Sequence, residues 1–214
     1  MSERIYPVGH KVPKYNVLLL SCIDLRLNDN IVHFMDHENL TNRYDQYIMA
    51  GVSIGGLFEY VDEEDKLIKK EEYFGWWKGL TDHVTLAIEL HDIRDIYIIE
   101  HRNCGAYKYF LKDGSGNYEH HGTKQEFEDH LHYAGLLAKR LKDVVRPYEQ
   151  KLDKKNIEKD ELLGFKCDSL VPAKIRVQAF LMDLTGNVEF LPINEGKKSK
   201  PSGGENEAKT DLES

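Results

Sequence analysis

Val17-Leu18-Leu19-Leu20, followed by Ser21 and then Cys22-Ile23-Asp24-Leu25-Arg26, is the stretch on which the reading of this chain turns. Four consecutive aliphatic residues match a strand buried on both faces of a parallel sheet, where apolar residues run on rather than alternate. The pattern returns roughly 80 positions later, where Ile96-Tyr97-Ile98-Ile99 leads into His101-Arg102-Asn103-Cys104-Gly105. In an open α/β sheet, sites form outside the carboxyl ends of the strands, at the point where strand order reverses. If the two strands are neighbours, both polar motifs open into one crevice.

The rest of the chain supports such a sheet. The first strand covers Asn16–Ser21. Asn28 or Asp29 can cap a short helix that turns Ile31, Phe34 and Met35 inward. Tyr47-Ile48-Met49-Ala50 reads as a second buried strand, and Gly51-Val52-Ser53-Ile54-Gly55-Gly56 as the loop leaving it. Thr81 is placed to cap a helix that buries Val84, Ala87, Ile88 and either Leu90 or His91. After Gly105 the pattern is helical through Leu111, with a turn at Gly114-Ser115-Gly116-Asn117. Thr123-Lys124-Gln125-Glu126 is a capping-box pattern. Phe127, Leu131, Ala134, Ala138, Leu141 and Val145 follow at helical spacing, and Pro147 is expected to end that helix. Thr185-Gly186-Asn187 turns Val177–Met182 into Val188–Leu191, a hairpin at a sheet edge.

Alternating strands and helices predict an α/β fold: a single domain over residues 1–195, with a mostly parallel central sheet flanked by helices and an antiparallel edge strand. Residues 1–15 read as an extended arm. The segments 58–80, charged and then aromatic (Tyr73, Phe74, Trp76, Trp77), and 149–171, highly charged, read as insertions. Residues 196–214 have the composition of a disordered tail.

A net charge of −8 argues against nucleic acid as a partner. No apolar run is long enough for a membrane span, and Met1-Ser2-Glu3-Arg4 has no signal-peptide character. Three cysteines do not build a disulfide framework. A cytoplasmic protein that uses Cys22 and Cys104 for metal is expected.

Cys22, His101 and Cys104 supply two sulfurs and an imidazole nitrogen. Catalytic zinc commonly takes three such ligands and keeps a fourth position open. Two thiolates nearly neutralise Zn²⁺, so water on the metal is less acidic than at an all-histidine site. An extra acceptor that orients the hydroxide then helps. Asp24 stands two residues from Cys22, on the same side of an extended segment, and Arg26 can clamp its carboxylate in a bidentate pair. A closed structural zinc site would more often use tighter Cys-x-x-Cys pairs. A Cys104–His101 nucleophile fits less well beside a second thiol. Cys167 has no arginine two positions after the aspartate that follows it, and reads as a bystander.

Cys-x-Asp-x-Arg followed by His-x-x-Cys-Gly resembles the signature of the β-class carbonic anhydrases. The order of elements is similar to that family over roughly residues 15–147 and 174–191, and looks like its shorter prokaryotic-type members. The resemblance implies a β-carbonic-anhydrase-like fold and a lyase holding one Zn²⁺ per chain on Cys22, His101 and Cys104. It would hydrate carbon dioxide reversibly to bicarbonate through a zinc-bound hydroxide oriented by Asp24 and Arg26. In some members the aspartate closes the site as fourth ligand, so Asp24 is also a candidate ligand. The family's pocket loops point to Gly51 and Gly105 as substrate-binding, and its members are homodimers or multiples of dimers. The segment Ile48-Met49-Ala50-Gly51-Val52 departs from the family's usual polar pattern, which leaves two alternatives open. One is a hydrolase of carbon disulfide or carbonyl sulfide with the same ligands. The other is a catalytically silent zinc-containing binding protein.

Overall fold

The computed structural model describes residues 4–59, 73–118, 122–163 and 174–193. Five strands make one sheet in the order β2-β1-β3-β4-β5. They are β1 (Val17–Ser21), β2 (Tyr44–Ile48), β3 (Asp95–His101), β4 (Arg176–Met182) and β5 (Val188–Leu191). β2, β1, β3 and β4 run parallel, and β5 returns antiparallel to β4 through the Thr185-Gly186-Asn187 turn. The expected α/β architecture, mostly parallel with one antiparallel edge strand, is therefore the observed one.

β1 and β3 are buried at every position, as their apolar runs require. The chain leaves β1 for β2 on one side and returns to β3 on the other. Strand order thus reverses at β1, and a crevice opens there at the carboxyl ends. Ser21 stands in register with Ile99 of β3 and with Ile48 of β2, so Cys22 and His101 emerge at the same end of adjacent strands.

Helices cover both faces. Phe34 of α1 (Asn28–His37) packs against Tyr97 and Phe180, with ring centroids 6.4 and 5.2 Å away. Three residues along β3 from Tyr97, Glu100 points to the opposite face. There it meets His130 of α5 (Lys124–Leu163) at 2.9 Å. α3 (Trp76–His91) packs beside α5. The short helices α2 (Ser53–Gly56) and α4 (Gly105–Phe110) each follow a loop that carries part of the crevice.

Several expectations are corrected. β2 begins three residues earlier and ends two earlier than expected, and it is only half-buried. It pairs on one side alone, so Asp45 and Gln46 are tolerated, and Met49 and Ala50 belong to the crevice loop. Leu27 occupies the N-cap position of α1, and neither Asn28 nor Asp29 caps it with its side chain. α3 starts at Trp76 behind Gly75, whose φ of +100° only glycine adopts easily. Val84, Ala87 and Ile88 are buried as expected, whereas Leu90 and His91 are exposed.

Pro147 does not end α5, which runs on to Leu163. Proline removes one helix hydrogen bond. Beyond it the helix is held by Tyr148, which packs on the core, and by Glu149, which accepts the Ile175 N–H at 2.8 Å. Residues 149–163 of the charged segment are thus helix. Residues 60–72 and 164–173, including Cys167, and the segment 196–214 lie outside the described residues.

Candidate metal centre

The crevice at the carboxyl ends of β1 and β3 is built from two short segments. Cys22 follows the last residue of β1 and is buried. His101 ends β3, and Cys104 precedes α4; both are buried. Between them Asn103 takes a φ of +56°, which reverses the chain and brings Cys104 back over His101. The ligand atoms of Cys22, His101 and Cys104 all lie within 4.8 Å of one another. The two sulfurs are 4.0 Å apart and unbridged.

This donor set fits a tetrahedral ion. Two sulfurs each about 2.3 Å from zinc stand roughly 3.8 Å apart, close to the separation found. His101 directs Nδ1 at the carbonyl of Arg102, 3.0 Å away. With that nitrogen donating, Nε2 is the acceptor, and it is buried without a hydrogen-bond partner. A backbone bond that fixes the tautomer and leaves the other nitrogen free is the usual preparation of a histidine ligand.

The electrostatics point the same way. The hydrogen bond from Cys104 brings the Cys22 thiol down to about 4, against the opposing effect of burial. The same contact and burial push the Cys104 thiol up, so the pair readily loses one proton and holds the second. Burial disfavours a charged His101, yet the nearby Cys22 sulfur raises its pKa on balance. A cation placed among these groups would relieve all three constraints.

Two carboxylates frame the centre differently. Asp24 lies at the mouth, gripped by Arg26 through Nε at 2.9 Å and Nη2 at 2.5 Å, and by the Arg26 backbone N–H at 3.0 Å. The Arg26 guanidinium holds the Asp24 carboxyl down at about 2. Asp24 Oδ2 lies 3.9 Å from His101 Nε2. Arg26 also donates to the Asn103 carbonyl at 3.2 Å, tying the two motifs together.

Glu126, near the start of α5, is fully buried. It accepts the Asn103 N–H at 2.6 Å, the Gly122 N–H at 2.9 Å and Arg102 Nη1 at 3.1 Å. Thr123 does cap the helix, accepting the Glu126 N–H at 3.1 Å. The Glu126 carboxylate, however, serves the ligand turn as well as the helix end. That role is not legible in the sequence, because Glu126 and Asn103 stand 23 positions apart.

Gly51 and Gly105 occupy different places. Gly51 is buried, has a φ of +64°, and donates its N–H to the Cys22 sulfur at 3.4 Å. A Cβ there would stand 2.6 Å from that of Ala106. It therefore packs behind the ligands, and Ala50 borders the cavity instead. Val52, next in the chain, has a φ of +35°, a strained value for a β-branched residue. Gly105 does border the cavity.

That cavity has a volume of about 550 Å³ and meets Cys22 and Asp24 on one wall. Its other walls are mostly apolar: Ile23, Ala50, Tyr73, Trp76, Tyr109 and Phe110. Tyr73, Trp76 and Phe110 pack edge-on or tilted with ring centroids 4.9 to 6.0 Å apart. The aromatic cluster visible in the sequence thus supplies cavity wall at Tyr73 and Trp76. Trp77 turns away, under the Arg140 guanidinium.

No family model matches the sequence. The chain is similar to an uncharacterized protein of Rickettsia bellii, 29% identical over 129 residues, which is 60% of this chain and 68% of that protein. It is 28% identical to another from Rickettsia conorii over 131 residues, 61% of this chain and 60% of that one. Among solved structures it is similar to the β-carbonic anhydrase CafA of Aspergillus fumigatus. There the identity is 13%, the coverage 85% of this chain and 77% of that one, and the TM-score 0.39. A second match is to the tetrameric β-carbonic anhydrases of Sordaria macrospora, at 12% identity, 83% and 81% coverage, and a TM-score of 0.36. At that distance the geometry of the site has to carry its own reading. Among the described residues no helix is long and apolar enough to cross a membrane.

Proposed function

We propose that this chain is a β-carbonic-anhydrase-like zinc enzyme that interconverts carbon dioxide and bicarbonate. The observation that carries the reading is the buried Cys22–His101–Cys104 cluster opening onto a cavity whose mouth holds the Arg26-clamped Asp24. Cys22, His101 and Cys104 would hold the ion. Zinc there would act as a Lewis acid and lower the pKa of water, though less far than the value of about 7 reached at an all-histidine site.

The chain's own residues do the rest. Asp24 is ionised at any working pH, because Arg26 favours its charged form. It can only accept hydrogen bonds, so it would orient the attacking oxygen by accepting a hydrogen bond from its O–H, leaving the lone pair aimed into the cavity. Its commitment to Arg26 supports a free aspartate over a fourth ligand. Arg26 is the positioning residue that keeps Asp24 in that role. Gly51 supports the Cys22 sulfur through its N–H, and Gly105 offers backbone to a substrate oxygen. The apolar wall admits carbon dioxide and excludes bulk water. The chain would work in a reducing cytoplasm, where its thiols stay available. It would pair with a second copy, since Ile23 and Tyr109, which line the cavity, are exposed, as is Leu25 nearby in the chain.

One observation favours a second reading. A wall so apolar suits carbon disulfide or carbonyl sulfide as well as carbon dioxide. Stopped-flow hydration of carbon dioxide across pH 7 to 9, on zinc-verified protein with Cys104→Ser as control, tests the first reading. Turnover that vanishes in the control is expected. Stoichiometric zinc without turnover, together with sulfide release from carbon disulfide, would replace it with the second. Zinc with neither activity would leave a binding protein.

A further inference from the structure

We propose that a basic pocket where β4 begins binds a phosphate-bearing small molecule with an apolar body. The pocket is a cavity of about 570 Å³, within the range of small-molecule sites. Five cationic side chains line it, from three separate parts of the fold: Lys11 on the N-terminal arm, Lys142 and Arg146 on α5, and Lys174 and Arg176 at the start of β4. Such convergence is unusual in a chain of net charge −8.

Three carboxylates among the described residues stand near these cations, and each already has a partner. Asp95 is buried and forms an ion pair with Arg176, its Oδ1 2.6 Å from Nε. Glu149 accepts the Ile175 N–H at 2.8 Å. Asp143 meets Arg146 at 2.7 Å, in a pair exposed to solvent on both sides and so easily exchanged. Arg176 keeps a second donor, Nη1, buried and without a hydrogen-bond partner. The Arg176 side chain remains 28% exposed, and guanidinium forks match the oxygens of a phosphate. Lys11 is fixed in place because its carbonyl accepts Gln178 Nε2 at 3.2 Å.

The pocket also has an apolar side. Phe190 is 36% exposed and lines it with Ile175 and Val177. β5 covers β4 only from Ala179 to Met182, so the sheet edge at Arg176–Gln178 is not covered by β5. The site is separate from the metal centre. Arg176 pairs with Asp95 at one end of β3 and Met182 with His101 at the other, about 20 Å along the strands.

The test is calorimetric titration of the full chain with inorganic phosphate, phenyl phosphate and citrate at constant ionic strength. Saturable one-to-one binding of phenyl phosphate is expected, about fivefold tighter than inorganic phosphate because the ring packs on Phe190. Phe190→Ala should erase that difference. Reversing the exposed charges in R146E/K174E should weaken binding by about tenfold or more. K78E/K124E makes the same change in net charge at exposed lysines outside the pocket and should leave binding within about twofold. Equal losses in the two double variants would show general charge attraction and overturn the site. Undiminished binding in R146E/K174E, or no binding in the parent chain, would do the same. Citrate bound as tightly as phenyl phosphate would overturn the phosphate assignment.

Discussion

The two halves of the metal centre are held by different means. The His101–Cys104 turn is buried and pinned from far along the chain. Glu126 of α5 takes the Asn103 N–H, and the Arg102 N–H donates to Met182 at 2.9 Å. The Cys22–Arg26 segment is held largely by itself, through the Asp24–Arg26 pair, with Ile23 63% and Leu25 81% exposed. One half is fixed by tertiary structure, the other by local chemistry. Damage to the first should appear in metal affinity, and damage to the Asp24–Arg26 pair of the second in turnover.

The strongest test removes a ligand from the fixed half. Cys104→Ser should bring zinc content from about one per chain to near zero and carbon dioxide hydration to background. Retained stoichiometric zinc, read by elemental analysis, would break the assignment of that half. Next, Asp24→Asn should keep zinc but lower turnover by about a hundredfold or more, because the amide keeps the shape and loses the charge. A loss of zinc in this variant would move Asp24 among the ligands and erase the division of labour.

Glu126→Gln attacks the fixed half without touching a ligand. An amide cannot serve Asn103, Gly122 and Arg102 as a carboxylate does. Zinc affinity should fall about 10- to 100-fold, measured by chelator competition. An unchanged affinity would mean the turn holds its own shape. The smallest effect belongs to a locally held carboxylate elsewhere. Asp183 accepts hydrogen bonds from the N–H groups of Thr185 and Asn187 and from both their side chains. Burial opposes its ionisation, but these bonds outweigh it and its pKa is lowered. A lowered folded pKa gives stability that is present above the ordinary carboxylate range and lost as pH falls through the folded value. Asp183→Asn should cost about 1 kcal/mol at pH 7 and flatten the acid limb of urea unfolding. An unchanged acid limb would remove Asp183 from that role.

The sequence was legible where one local cause dominates. The unbroken apolar runs of β1 and β3 read as buried strands, and Thr185-Gly186-Asn187 reads as a turn. It was less legible where partners are distant. The pattern at β2 reads as a buried strand, and only its edge position accounts for Asp45 and Gln46. Pro147 reads as a stop, and only the packing of Tyr148 and the Glu149–Ile175 bond carry the helix beyond it. The aromatic residues before α3 were visible as a cluster, but their shared wall with Phe110 was not.

The sequence by itself determined the chemistry on offer. Thiols, imidazole, carboxylate and guanidinium stand at fixed short spacings, and a strand's twofold period sets which of them share a side. Tertiary structure decided how that chemistry is used. It put β1 beside β3, turned Asn103 on the buried charge of Glu126, set Gly51 behind the Cys22 sulfur rather than in the cavity, and gathered five cations at the far end of the sheet. These outcomes depend on contacts between residues tens of positions apart, and only the packed chain brings such residues together.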